Sequence, residues 1–169
     1  MDDQELVRQV ADRQAITDQI YRYCRAMDRI DAELGYSVWH EDGTADYSAA
    51  VFRGSGRGFI DFVCEQHRQV LMHTHQVTNI IIDLFGDRAA SEAYCTLHMR
   101  VESEGKLKQI MVMSRYIDRW SKRGGRWAID HRRTVMDFDE IREVTEMHRH
   151  DVARRDRSDP CYAGLAARG

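Results

Sequence analysis

The chain has 169 residues, 43% hydrophobic and 31% charged, with 25 Lys and Arg against 28 Asp and Glu and a formal charge of -3. That length suits one domain with a sizeable core. No apolar run approaches the roughly eighteen residues of a membrane span, and an aromatic content of 9% argues against wholesale disorder. No net positive field is available to hold a phosphate backbone, which disfavours nucleic-acid binding.

Four cysteines, Cys24, Cys64, Cys95 and Cys161, are widely spaced and form no CxxC. A chain of this length needs no disulfide staples, so reduced thiols are expected. The start, MDDQELVRQV, lacks the basic, apolar and small-residue order of a signal peptide. A cytoplasmic protein is expected.

Val10, Ile16, Ile20, Tyr23, Cys24 and Met27 lie close to a 3.6-residue stripe, which predicts a helix over about 5–28. Asp31 is a plausible N-cap for a short second helix that buries Leu34, Val38 and Trp39. HEDGT, residues 40–44, reads as a turn around Gly43, with short strands near 44–47 and 50–53. GSGRG, residues 54–58, matches neither GxGxxG nor GxxxxGK[ST], so it reads as a tight turn rather than a phosphate loop. A third helix follows over about 57–72, with Ile60, Val63, Cys64, His67 and Leu71 on one side.

Beyond His73 the segments 75–85, 88–102, 107–121 and 125–138 are rich in Val, Ile, Tyr, Thr and Met. FGDR, ESEGK and KRGGR separate them as turns between antiparallel strands. Helices followed by long strands predict an α+β fold, with the N-terminal helices covering the apolar side of a curved sheet. Residues 1–140 then form the domain and 141–169 a C-terminal extension, helical to about 156 and looser beyond.

The candidate chemistry starts at Asp28, on the margin of the apolar helix face, where its carboxylate can enter the space between helix and sheet. A solvated helix end is the competing reading. If His75, Val77, Asn79 and Ile81 face the concave side, His75 shares that volume. His73 belongs either to the helix exit or to the same strand. Histidine suits proton transfer near neutral pH, and a carboxylate on its other nitrogen would fix the tautomer. Asn79 is a candidate ligand donor or a structural partner. His98 and Arg100 share one strand parity and Met99 and Val101 the other, without showing which is concave. His67 reads as a partly exposed helix residue.

Arg132 and Arg133 are adjacent in a strand, so one points inward and the other outward. An inward guanidinium would suit a developing negative charge; a surface or interface ion pair is the alternative. Tyr23 offers a phenolic donor, and Trp39, Tyr47, Phe59 and Met113 are candidate pocket walls or ordinary core. No HExxH motif or compact Cys/His cluster points to a metal, and no GxSxG elbow points to serine hydrolysis. Neither a metal nor a cofactor is expected.

YCRAMDRID, VWHEDGTADY, HTHQVTNIIIDLFGDRAASEAY and DRWSKRGGRWAIDHRRTVMDF, in that order between about Ala11 and Phe138, resemble the SnoaL-like group of the NTF2-like superfamily. That group includes scytalone dehydratase, hexachlorocyclohexane dehydrochlorinase and bile-acid 7α-dehydratase. The resemblance implies a cone built from a strongly curved sheet, closed by the N-terminal helices around an apolar pocket. It further implies an Asp–His pair at Asp28 and His75, with Asn79 retained and an assisting arginine at Arg132, or at the adjacent Arg133. Tyr23 falls near a variable polar pocket position.

The function implied is a cofactor-independent lyase or isomerase acting on a small, largely apolar cyclic molecule. A noncatalytic ligand-binding or assembly subunit and a polyketide-like cyclase are the alternatives. A homodimer or homotrimer is expected, with Tyr116, Trp120 and the 107–121 strand as candidate contacts and no nucleic-acid or membrane partner.

Overall fold

The computed structural model describes residues 2–146 and 153–166. Helix α1 (Asp3–Arg29) opens on Asp2, whose carboxylate accepts the Glu5 N–H at 2.8 Å, and Asp3 and Glu5 complement its positive end. Ile16, Ile20, Tyr23 and Met27 form its buried stripe, and the expected first member, Val10, is exposed. The helix stops at Ile30, in the left-handed region with φ 52°. There Asp31 caps α2 (Ala32–Ser37) by accepting the Leu34 N–H at 3.1 Å.

The segment read as a turn around Gly43 is instead part of a continuous strand, β1 (Trp39–Asp46). Its pairing register shifts between Trp39 and Thr44. A Cβ on Gly43 would lie 2.7 Å from the Ile129 carbonyl oxygen, so the glycine marks a bulge and a close approach of two backbones. After β2 (Arg53–Ser55), Ser55 caps α3 (Gly56–Arg68) through the Gly58 N–H at 3.0 Å. A Cβ on Gly56 would fall 2.2 Å from the Trp39 ring. GSGRG thus starts a helix and admits an indole. Leu71, expected on the buried side of that helix, is exposed beyond its end.

Four long strands follow: β3 (Met72–Phe85), β4 (Arg88–Ser103), β5 (Lys106–Arg123) and β6 (Arg126–Glu143). The sheet order is β2-β1-β6-β5-β4-β3, antiparallel except for the β1–β6 pair. Register shifts within β3 and between β5 and β6 bend and twist the strands, as bulges do. The result is a curved, unclosed six-stranded sheet with the N-terminal helices on its concave side.

The helix expected just after residue 140 is not formed there. Strand β6 runs to Glu143 instead, because Ile141 and Arg142 continue the ladder with Ile110 and Gln109. The next stretch of that expected helix, 147–152, lies outside the described residues. Residues 153–166 return to the helical side, where Pro160 opens a short helix, α4 (Pro160–Ala166), at the position where a missing N–H costs nothing. Tyr162 donates to Asp31 Oδ2 at 2.8 Å, and Asp159 pairs with Arg29 at 3.4 Å. Among the described residues no helix is long and apolar enough to cross a membrane.

Candidate active site

The last turn of α1 lies against the first residues of β3. His75 donates its backbone N–H to both Asp28 carboxylate oxygens, at 3.0 and 3.2 Å, and its Nδ1 lies 2.6 Å from Asp28 Oδ1. A carboxylate can only accept, so Nδ1 carries a proton, and in the neutral ring Nε2 is the nitrogen with the lone pair. The imidazole is nearly buried, with its side chain 5% exposed.

His75 lines an apolar cavity of about 350 Å³ between helices and sheet. Helix α3 supplies Phe59, Phe62, Val63 and His67, and β4 supplies Leu97 and Met99. Val112, Ser114 and Tyr116 of β5, together with Thr134 and Met136 of β6, complete the sheet wall. Tyr23 and Tyr47 close one end, their hydroxyls 2.8 Å apart, with Tyr47 stacked on Phe59 at 3.7 Å. Burial raises the pKa of both phenols, so each stays protonated and able to donate at neutral pH.

Arg132 points inward and Arg133 is exposed. Arg132 does not reach the cavity wall. Its guanidinium is fully buried, bonded twice to Asp118 at 2.7 Å, and sits 4.2 and 4.0 Å from the ring centres of Tyr23 and Tyr116. Burial opposes its charge most strongly, but Asp118, Tyr47 and Tyr23 together outweigh that and hold the pKa well above the ordinary arginine value. The group it presents to the cavity is therefore the tyrosine layer.

Three candidate pocket residues lie elsewhere. Trp39 is buried, but in the core against Gly56 and near Arg132. Asn79 is exposed with φ 51° at a register shift. That bulge reverses the alternation of β3, so His73, His75 and Val77 face inward, while Asn79 and Ile81 do not. Met113 lies on the other face of β5 from Val112 and Ser114, where its sulfur accepts from Thr96 Oγ1 at 3.0 Å. Trp120 and Tyr116 are buried within the chain rather than presented outward.

His67 departs furthest from its sequence reading, and of the two readings of His73 the strand is the one found. His73 is a strand residue whose Nε2–H donates to the Met27 carbonyl at 2.7 Å. His67, read as partly exposed, is buried in the cavity wall with its ring centre 4.1 Å from that of His73 and 6.1 Å from that of His75. Burial first, and then the neighbouring His73, His75 and Arg155, push the His67 pKa down to about 3. Burial lowers that of His73 as well. Sequence carried a usable signal for His67, since it stands three and four residues after the inward-facing Cys64 and Val63. For β4, the parity of Leu97 and Met99 against His98 and Arg100 marked the concave face once one member was placed.

A family model described as SnoaL-like domain matches residues 8–133. Solved structures similar to this chain include a Kribbella flavida protein at 15% identity and TM-score 0.70, covering 78% of this chain and 95% of that one. Another is the hexachlorocyclohexane dehydrochlorinase LinA-type3 of Novosphingobium barchaimii, at 15% identity and TM-score 0.68 over 85% and 97%. A third, a candidate scytalone dehydratase of Novosphingobium aromaticivorans, has 18% identity and TM-score 0.66 over 85% and 97%. At these identities the likeness is one of fold. No curated protein matches the sequence.

Proposed function

The chain belongs to the SnoaL-like domain family, and on that premise we propose that it is a cofactor-independent lyase or isomerase acting on a small, largely apolar cyclic molecule. The observation that carries the reading is the 2.6 Å contact between Asp28 and His75 on a ring that lines the apolar cavity. His75 Nε2 takes a carbon-bound proton as general base. Asp28 fixes the tautomer and stabilises the imidazolium that results.

The proton taken must be acidified by a neighbouring carbonyl or similar group, because imidazole does not deprotonate an unactivated alkane at neutral pH. Charge then develops on that group's oxygen. Tyr23 or Tyr47 meets it as a hydrogen-bond donor, and Arg132, held against Asp118, favours that charge from behind the rings. Loss of a leaving group from the adjacent carbon completes elimination; return of the proton to another carbon completes isomerisation. A filled core with the two side chains facing apart would have favoured the assembly-subunit reading, and the open cavity favours catalysis. The proposal includes a cytoplasmic setting, in keeping with free thiols at all four cysteines, and a homodimer or homotrimer.

Isotope exchange tests the reading without knowledge of the natural substrate. Cyclic ketones such as 2-tetralone, incubated in D2O with the protein, are expected to exchange their α-protons faster than in buffer. His75→Gln should lower that rate by about 10²–10⁴-fold while leaving the fold intact by circular dichroism. Exchange unaffected by the substitution, or no acceleration across a panel of such ketones, would overturn it.

A further inference from the structure

We propose that Arg155 is a positioning residue for the Asp28–His75 pair: it ties His73 to the end of α3 and thereby holds the last turn of α1 against β3. The inference rests on the functional reading above and adds a residue from the C-terminal extension, beyond the residues that the family model matches.

The Arg155 guanidinium donates to the carbonyls of His67 at 2.5 Å and Val70 at 2.6 Å. These oxygens lie at and just past the end of α3, where the regular helix ladder stops. The His67 oxygen otherwise accepts only a long 3.4 Å contact from the Val70 N–H among the backbone bonds of that turn. The same Nη1 lies 3.5 Å from His73 Nδ1. A cation there favours a lone pair on Nδ1 and leaves the ring proton on Nε2, the nitrogen 2.7 Å from the Met27 carbonyl. That carbonyl belongs to the peptide joining Met27 to Asp28. A continuous series of polar contacts therefore runs from Arg155 through His73 and the Met27–Asp28 peptide to His75.

Arg155 does not sit on a loose end. Asp159 pairs with Arg29 and accepts the Arg154 and Cys161 N–H groups at 3.1 Å. Tyr162 bonds Asp31 and lies under the Arg25 guanidinium. A planar fork suits this position because it spans two carbonyls at once, whereas an ammonium is a single point charge.

The arrangement also divides the three histidines by task. Facing His73 are His67 from α3, His75 from β3, Asp28 and the Met27 carbonyl from α1, and Arg155. Burial disfavours charge on His67 and His73, and Arg155 adds to that effect on both. His75 alone is bonded to a carboxylate through Nδ1, with no protein partner for Nε2 among the described residues. The proton it accepts meets a carboxylate and two neutral rings.

The test is NMR of the full-length protein with ¹⁵N-labelled histidine, as wild type, Arg155→Ala and Arg155→Lys. Wild type is expected to show His73 in a single Nε2–H tautomer and a downfield, slowly exchanging His75 Nδ1 proton. Arg155→Ala should lose the fixed His73 tautomer, move its titration midpoint upward and broaden the His75 proton. Arg155→Lys, which keeps a cation but not the fork, should give an intermediate spectrum and carries the test if the alanine variant does not fold. His73 and His75 signals unchanged in the folded variants would overturn the positioning role and leave the Asp28–His75 reading standing. Absence of the His75 proton from wild type itself would overturn both.

Discussion

Two of the ionisable pairs that bridge neighbouring elements differ in what lies beyond them. Arg132 and Asp118 are each 0% exposed along their side chains, joined by two 2.7 Å bonds and roofed by Tyr23 and Tyr116. Asp28 and His75 are joined as closely, at 2.6 Å, but the imidazole lines the cavity and its second nitrogen has no protein partner among the described residues. The sealed pair has no proton acceptor left to offer and serves the architecture and field of the pocket. The open pair has one, and it faces a space the size of a small ligand.

Breaking the sealed pair should produce the largest change in stability. Asp118→Ala strands a buried guanidinium, and removal of one partner from such a pair costs about 3–5 kcal/mol, read as a large fall in denaturation midpoint. Asp28→Asn should cost much less, because Asp28 lies at the helix end and partly exposed. Equal losses at the two sites would erase the distinction between them.

A smaller effect sharpens the role of the histidines behind the open pair. His67 is neutral in the folded protein, with its pKa near 3, but an unfolded chain takes up a proton below about pH 6.5. Stability is then full above that pH and falls on acidification between about 6.5 and 3, by roughly 1.4 kcal/mol per unit per histidine. His73, also lowered, adds in the same direction. Thermal melts of His67→Phe should show a shallower acid slope than wild type; an unchanged slope would contradict a neutral, buried His67.

The parts of the fold that were legible in the sequence are those with an unbroken period. Helix α1 followed from the 3.6-residue spacing through Ile16, Ile20, Tyr23 and Met27, and the four long strands followed from β-rich runs with glycine-bearing separators. Interruptions of a period were not legible. The bulge at Asn79 shifts the parity of β3 halfway along, so extrapolation from His75 is right at Val77 and wrong at Asn79. Gly43 was seen as punctuation, but whether a glycine makes a turn or a close strand contact depends on a partner strand some ninety residues away, at Ile129. The nearness of Asp28 and His75 was legible because a helix end and a strand start meet wherever the helix lies across the sheet. His67, His73 and Arg155 come together only through packing of three separate segments, which no local pattern encodes.

The most direct test of the central claim is a double-mutant cycle on α-proton exchange, comparing wild type, Asp28→Asn, His75→Gln and the double variant with the same cyclic ketone. If Asp28 acts through the imidazole, its effect vanishes once His75 is gone, and the double variant exchanges no more slowly than His75→Gln alone. Losses that multiply, or a full rate in Asp28→Asn, would contradict a base braced by its carboxylate.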